Sequence, residues 1–224
     1  MSESDEEDTS KDRQIKVTLV GDGTAGKTSI CMRLAKEQFG KAYKQTLGLD
    51  FFLKRLTLPG HINVTLQVWD IGGQQLGGNM LETYLFGAQA VLLIYDVTNH
   101  SSFENVSDWV DVIKSTVGPD AKLPYLALVG NKVDLEHMRI VKAEKHAEFA
   151  LTNNMHSFFI SAKTGDQVDY CFRKIAAEIL GVKLSKAEVE KTSRVIKAEI
   201  VNYNNLQPAK PVQPQTKSSF CVLQ

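Results

Sequence analysis

The chain of 224 residues holds only three cysteines, Cys31, Cys171 and Cys221, and no two of them form a C-x-x-C pair. Neither a disulfide framework nor a zinc site is therefore expected, and a reducing, cytosolic compartment is. Long apolar runs are lacking as well. The longest, around residues 90–95 and 125–129, are strand-sized and too short to span a bilayer. An excess of either charge is also missing: 26 Lys and Arg stand against 26 Asp and Glu, so no global field argues for a nucleic-acid partner, and none is expected. The first thirteen residues are polar and acidic (Glu3, Asp5, Glu6, Glu7, Asp8), which predicts a solvated arm rather than a secretory or mitochondrial leader.

What the chain does have is 43% apolar content, enough to bury one core. Residues 15–20 read as a strand leading into a glycine turn, and 27–35 as the helix that follows. Strands at 50–58 and 62–69 flank Pro59-Gly60, a hairpin signal. Compact apolar strands at 90–96, 125–131 and 157–160 alternate with helical patterns at 103–117, 143–153 and 168–180. This alternation predicts an α/β domain: a mostly parallel six-stranded sheet with one antiparallel hairpin strand and helices on both faces. Ligands on such sheets bind at the carboxyl ends of the strands. The chain then divides into an acidic N-terminus (1–13), one domain (14–181) and a tail (182–224). Within the tail 184–201 allows an amphipathic helix, and 202–215, with Pro208, Pro211 and Pro214, reads as a disordered linker.

Three strand ends carry chemistry. Gly21-Asp22-Gly23-Thr24-Ala25-Gly26-Lys27-Thr28 matches G-x-x-x-x-G-K-[ST] between a strand and a helix. Its glycines let backbone N–H groups wrap phosphate oxygens, and the helix N-terminus adds free donors and its dipole. Lys27 supplies a positive charge toward the β- and γ-phosphates, and the Thr28 hydroxyl suits Mg²⁺. Next comes Trp69-Asp70-Ile71-Gly72-Gly73-Gln74. Asp70 ends a strand with its carboxylate aimed at the metal. Gly73 can offer its N–H to a γ-phosphate, and the Gln74 amide can orient an attacking water by donating and accepting. Thr46 offers a hydroxyl that would complete the metal site, although a threonine in a loop fits a simple turn as well.

The third strand end is Asn131-Lys132-Val133-Asp134. A carboxylate accepts two hydrogen bonds side by side, which matches guanine N1–H and its exocyclic amine and repels the lone pair at adenine N1. Asn131 can reach the base N7 and brace the loops, and the stem of Lys132 can cover a face of the base. Ser161-Ala162-Lys163 offers backbone donors to the guanine carbonyl oxygen. A kinase or ATPase of the same phosphate loop, or a nucleotide-bound scaffold without turnover, are the rival readings. Asp134 argues against the first and Gln74 against the second.

In this order the motifs resemble the Ras superfamily of small GTPases over roughly residues 15–180. Leu47-Gly48-Leu49-Asp50-Phe51, Gly87-Ala88, Tyr95-Asp96-Val97-Thr98 and the run from Ser102 to Trp109 are similar to the Rab branch, in a divergent form. The resemblance implies a single GTPase domain of the phosphate-loop class that binds GTP and GDP with Mg²⁺ and hydrolyses GTP slowly. It implies nucleotide contacts from residues 21 to 29, Ser29 included, and that Phe39 packs on the base. Tyr43 and Thr46 then belong to switch I, with Thr46 ligating Mg²⁺ beside Thr28 and Asp70. Switch II runs from about 70 to 84, where Gly72, Gly73, Gly77 and Gly78 predict a loop that is mobile with GDP and ordered by γ-phosphate contacts or a partner, the alternative being glycines that serve fixed tight turns. The expected partners are effectors, an exchange factor and a GTPase-activating protein, acting on a monomer in membrane traffic. Three features depart from the usual Rab pattern: Ile71-Gly72 stands where Thr-Ala is usual, Gln75 stands where Glu is usual after the glutamine, and one cysteine replaces a terminal pair. That cysteine, in Cys221-Val222-Leu223-Gln224, forms a CaaX box whose terminal Gln favours farnesyl. A reversible lipid anchor, a prenyl-binding carrier and cycling between cytosol and membranes are expected.

Overall fold

The computed structural model describes residues 13–40, 45–73, 80–118 and 122–185. Six strands form one sheet: β1 (Arg13–Val20), β2 (Leu49–Leu58), β3 (Ile62–Ile71), β4 (Ala90–Asp96), β5 (Tyr125–Asn131) and β6 (His156–Phe159), in the order β2-β3-β1-β4-β5-β6. Only β2 runs antiparallel, pairing with β3 from Leu49↔Ile71 to Leu58↔Ile62. All other neighbours are parallel. The hairpin turns at Pro59, Gly60 and His61, the last two at φ 77° and 58°.

The helices are α1 (Lys27–Lys36), α2 (Leu81–Leu85), α3 (His100–Glu104), α4 (Val106–Val117), α5 (Ala143–Thr152) and α6 (Val168–Ile179). β4 is buried at every position, and its alternate side chains enter two different cores. Ala90, Leu92 and Ile94 meet Ile30, Leu34, Phe172 and Ile175 of α1 and α6. Val91, Leu93 and Tyr95 meet Leu81, Trp109, Ile113 and Ala150 from the helices of the opposite face. The apolar run of a central parallel strand thus reflects burial on both sides.

The helix expected at 103–117 is two. Asn99 caps α3, its Oδ1 accepting from the Ser102 N–H at 3.3 Å, and the axis breaks at Asn105. The short α2 and a 3-10 turn over Val133–Met138 carry too little periodicity to be read in advance. Residues 182–185 are not helical. The amphipathic pattern beyond them, the proline-containing linker, Cys221 and the acidic arm lie outside the described residues. Among those described, no helix is long and apolar enough to cross a membrane.

Candidate functional site

A cavity of about 840 Å³ opens at the carboxyl ends of β1, β3, β5 and β6. Gly23, Thr24, Gly26, Lys27, Thr28 and Ser29 line one end of it, Thr46 and Gly73 stand beside them, and Asn131, Lys132, Asp134, Ala162, Lys163 and Phe39 line the rest. Tyr43 and Gln74 lie outside the described residues.

At the first end, α1 begins after Gly26 in the left-handed region (φ 97°), with no side-chain cap and no acidic residue in its first turn. Its leading N–H groups are left without a capping acceptor, which suits an anion. The Lys27 ammonium, 5% exposed, donates to the carbonyls of Gly21 (2.6 Å) and Asp22 (2.8 Å). Burial pulls it down to about 8, against the opposing carboxylates of Asp70 and Asp22. Two glycines of the loop are dictated by protein neighbours. A Cβ at Gly21 would lie 2.1 Å from the Ile94 carbonyl oxygen, and one at Gly26 would lie 2.4 Å from Asn131 Nδ2.

Beside the ammonium, Thr28 Oγ1 donates to Asp70 Oδ2 at 2.5 Å and lies 2.7 Å from Thr46 Oγ1, while Thr46 Oγ1 stands 3.4 Å from the same carboxylate oxygen. The other oxygen, Asp70 Oδ1, is buried with no partner. Burial raises the Asp70 carboxyl, and the Thr28 bond and the Lys27 charge pull it back. Two hydroxyls and one carboxylate with an orphaned oxygen fit a hard divalent cation. Among the described residues no three His, Cys, Asp or Glu cluster, so such a cation would draw its remaining ligands from water and phosphate, as Mg²⁺ does.

Gly72 and Gly73 sit where other backbone leaves no room. The Gly72 N–H donates to the Gly48 carbonyl at 2.9 Å, and a Cβ there would lie 2.6 Å from the Thr46 carbonyl oxygen. A Cβ on Gly73 would lie 2.1 Å from Gly23 N. These two glycines allow close approach; Gly77 and Gly78 lie outside the described residues.

At the other end, Ser161 Oγ donates to Asp134 Oδ1 at 2.6 Å, and Lys163 Nζ stands 3.4 Å from Oδ2. Asn131 ties the two ends together: its Nδ2 donates to the Ala25 carbonyl (2.8 Å), and its Oδ1 accepts from the Ala162 N–H (3.1 Å). Lys132, at φ 70°, directs its ammonium to Asp96 Oδ2 at 2.6 Å, which lays its stem along the cavity. An acceptor pair, a braced amide and an apolar stem can together hold a planar base with adjacent donors.

Sequence reasoning passed over three residues that hold these loops. Asp96 anchors Lys132, Asn105 Nδ2 donates to Asp22 Oδ2 at 2.7 Å, and Arg33 binds the loop after β6. Arg33 alone left a signal, as a charged residue among the buried Ile30, Cys31 and Leu34 of α1.

The family model described as "Ras family" matches residues 16–181. The chain is 50% identical over 201 residues to "Ras-related protein Rab-28" of Caenorhabditis elegans, covering 90% of this chain and 81% of that one. It is 36% identical over 170 residues to "Ypt/Rab-type GTPase YPT7" of Saccharomyces cerevisiae, covering 74% of this chain and 81% of the relative. It is 34% identical over 169 residues to "Ras-related protein Rab-13" of Canis lupus familiaris, covering 75% and 81%.

Proposed function

This chain belongs to the Ras family of GTP hydrolases, in its Rab branch and of the Rab-28 type, and we propose that it is a slow two-state switch that directs membrane traffic by presenting different surfaces with GTP and with GDP. The observation that carries this reading is the Thr28–Thr46–Asp70 cluster with its orphaned carboxylate oxygen. It brings a loop residue, the phosphate loop and the end of β3 to one point. A loop joined to the phosphate loop through these polar groups is ordered or released by what occupies that point.

Asp134, steadied by the Ser161 hydroxyl, accepts guanine N1–H and the exocyclic amine, and Asn131 meets N7. Phe39 and the Lys132 stem flank the base. Lys27 exchanges its two carbonyl partners for phosphate oxygens, and the free N–H groups of α1 and Gly73 point at the same charge. Thr28, Thr46 and Asp70 would hold Mg²⁺, which would supply positive charge to the phosphate oxygens. Gln74 orients the attacking water. Neither switch contains an arginine, so intrinsic hydrolysis is on the order of 10⁻⁴ s⁻¹ until an activating protein provides one.

Effectors read the switch faces. Leu47, Phe51 and Leu53 are exposed there, and Phe51 stands edge-on against Trp69 with ring centroids 5.7 Å apart. Exposed apolar side chains of this kind suit a protein partner. An exchange factor reloads the switch. Residues 14–181 act as the GTPase domain, the tail bears a farnesyl group on Cys221, and a prenyl-binding carrier covers that lipid in the cytosol.

Single-turnover phosphate release tests the reading. Wild type loaded with GTP and Mg²⁺ hydrolyses at the rate above, and Gln74→Leu falls at least about tenfold. Equal rates in the two proteins overturn the role of Gln74.

A further inference from the structure

Arg33 projects from α1 with 6% of its surface exposed, and all three of its hydrogen-bond partners are backbone carbonyls. Nε donates to Ala162 O at 2.9 Å, Nη2 to Lys163 O at 2.5 Å and Nη1 to Glu37 O at 3.0 Å. Gly165, at φ +87°, packs on the side chain, and a Cβ there would lie 3.4 Å from Arg33 Cδ. A planar fork of donors is suited to hold two consecutive carbonyls in fixed directions.

The peptide plane turns that hold into an effect at the cavity. In a trans peptide the C=O and the following N–H point in opposite directions. Fixing the Ala162 carbonyl toward α1 therefore turns the Lys163 N–H away from α1, and Ala162 and Lys163 both line the cavity. The Lys163 N–H has no acceptor among the described residues, whereas the Ser161 N–H donates to Asp166 O at 3.0 Å and the Ala162 N–H to Asn131 Oδ1. One loop donor is thus unclaimed, and Arg33 sets its direction.

We propose that Arg33 is a positioning residue for base recognition: by holding the carbonyls of Ala162 and Lys163, it aims the Lys163 N–H at the carbonyl oxygen of the bound guanine. This rests on the guanine-nucleotide reading above. Asp134 and Arg33 then divide the base between them. Asp134 reads the N1–H and 2-amino edge directly, and Arg33 acts on the 6-oxo group through the backbone. The same bonds join the far end of α1, whose first turn faces the phosphates, to the loop that faces the base.

The test compares affinities of the full chain for three diphosphates: GDP, IDP (which lacks the 2-amino group) and the 2-aminopurine nucleotide (which lacks the 6-oxo group and with it the N1–H), each variant being read as a ratio against wild type. In Arg33→Gln, GDP affinity falls by about tenfold, the loss of one directed hydrogen bond, while affinity for the 2-aminopurine nucleotide barely moves. The GDP-to-2-aminopurine ratio shrinks accordingly, and the GDP-to-IDP ratio, set at Asp134, stays at its wild-type value. Arg33→Lys keeps the charge without the fork and falls between the two. It decides the matter if Arg33→Gln fails to fold. An equal loss for all three nucleotides, or an unchanged GDP-to-2-aminopurine ratio in Arg33→Lys, reduces Arg33 to a packing residue and overturns the inference. A wild type that binds GDP no better than the 2-aminopurine nucleotide overturns the guanine reading itself, and this inference with it.

Discussion

Gly72→Ala adds one methyl group at the point where the two switch segments meet. The new carbon would lie 2.6 Å from the Thr46 carbonyl oxygen and 3.4 Å from that of Gly48. Both neighbours are backbone, so no side chain can rotate away, and the Gly72 N–H bond to Gly48 O at 2.9 Å holds the strands together at the same place. Relief requires the Thr46 segment to retreat by about half an ångström or more, and inserting a methyl into a packed contact costs about 1–3 kcal/mol. The same retreat withdraws the Thr46 hydroxyl from Thr28 (2.7 Å) and Asp70 (3.4 Å). On the proposed switch reading, the cost falls on the arrangement that would close over a γ-phosphate and its metal, which GDP binding would not need. At 1.4 kcal/mol per tenfold, GTP affinity relative to GDP drops by roughly 5- to 150-fold, and the GTP complex needs more Mg²⁺. Competitive displacement of a fluorescent GDP by GTP and by GDP, in wild type and variant, measures the ratio. If Gly72→Ala loads normally and its GTP-to-GDP ratio stays within about twofold of wild type, the distance between the segments is not set by this glycine.

Three further expectations follow from particular groups. Asp134→Asn replaces a double acceptor, oriented by Ser161 at 2.6 Å, with one donor and one acceptor. GTP affinity should fall by about 3 kcal/mol or more while xanthosine triphosphate gains, and unchanged GTP binding removes Asp134 from base recognition. His146 is fully buried between the Tyr95 hydroxyl (2.8 Å) and Ser157 Oγ (2.7 Å), and burial, with Arg139 adding to it, lowers its pKa from 6.5 to about 4. The unfolded chain binds the extra proton between those values, so this contribution is whole above pH 6.5 and is lost as pH falls toward 4, by about 3 kcal/mol. Urea unfolding at pH 7.5 and 5 should show a smaller loss in His146→Gln than in wild type; parallel losses would clear His146 of the effect. Finally, Cys221→Ser should leave the membrane fraction of cells, and a serine variant that sediments with membranes as wild type does would sink the lipid anchor.

The sheet was legible because its strand ends are written in residues that have few other uses. Asp70 and Asn131 each close an apolar strand, and the strand before Gly21 ends where the phosphate loop starts. The hairpin followed from Pro59-Gly60, and the parallel order from alternation. The break at Asn105 was not legible, because the side chain engages Asp22, 83 residues earlier, and helical periodicity runs on across the gap. Arg33 was missed for the same reason: its acceptors lie 129 and 130 residues away. Gly72 was read as a source of backbone freedom, since sequence cannot show the carbonyl that stands against it. Residue types announce what a site binds; the polar contacts that aim those residues form across the fold and leave only faint marks, such as a charge on a buried helix stripe.

The side-chain amide of Asn131 joins Ala25 to Ala162, so one side chain is shared by the phosphate loop and the loop after β6, while its backbone carbonyl accepts from the Val97 N–H at 3.1 Å. The base end and the phosphate end of a nucleotide are then not independent grips. On the proposed reading, while both hold, each would keep the other within reach, and release would require the two to let go together. A partner that levers on either loop alone disturbs the shared amide and loosens the far end as well. On the same reading, a partner that evicts the nucleotide would need no purchase on the base: a push at the phosphate loop, or at Arg33's neighbours, would strain both ends of the clasp.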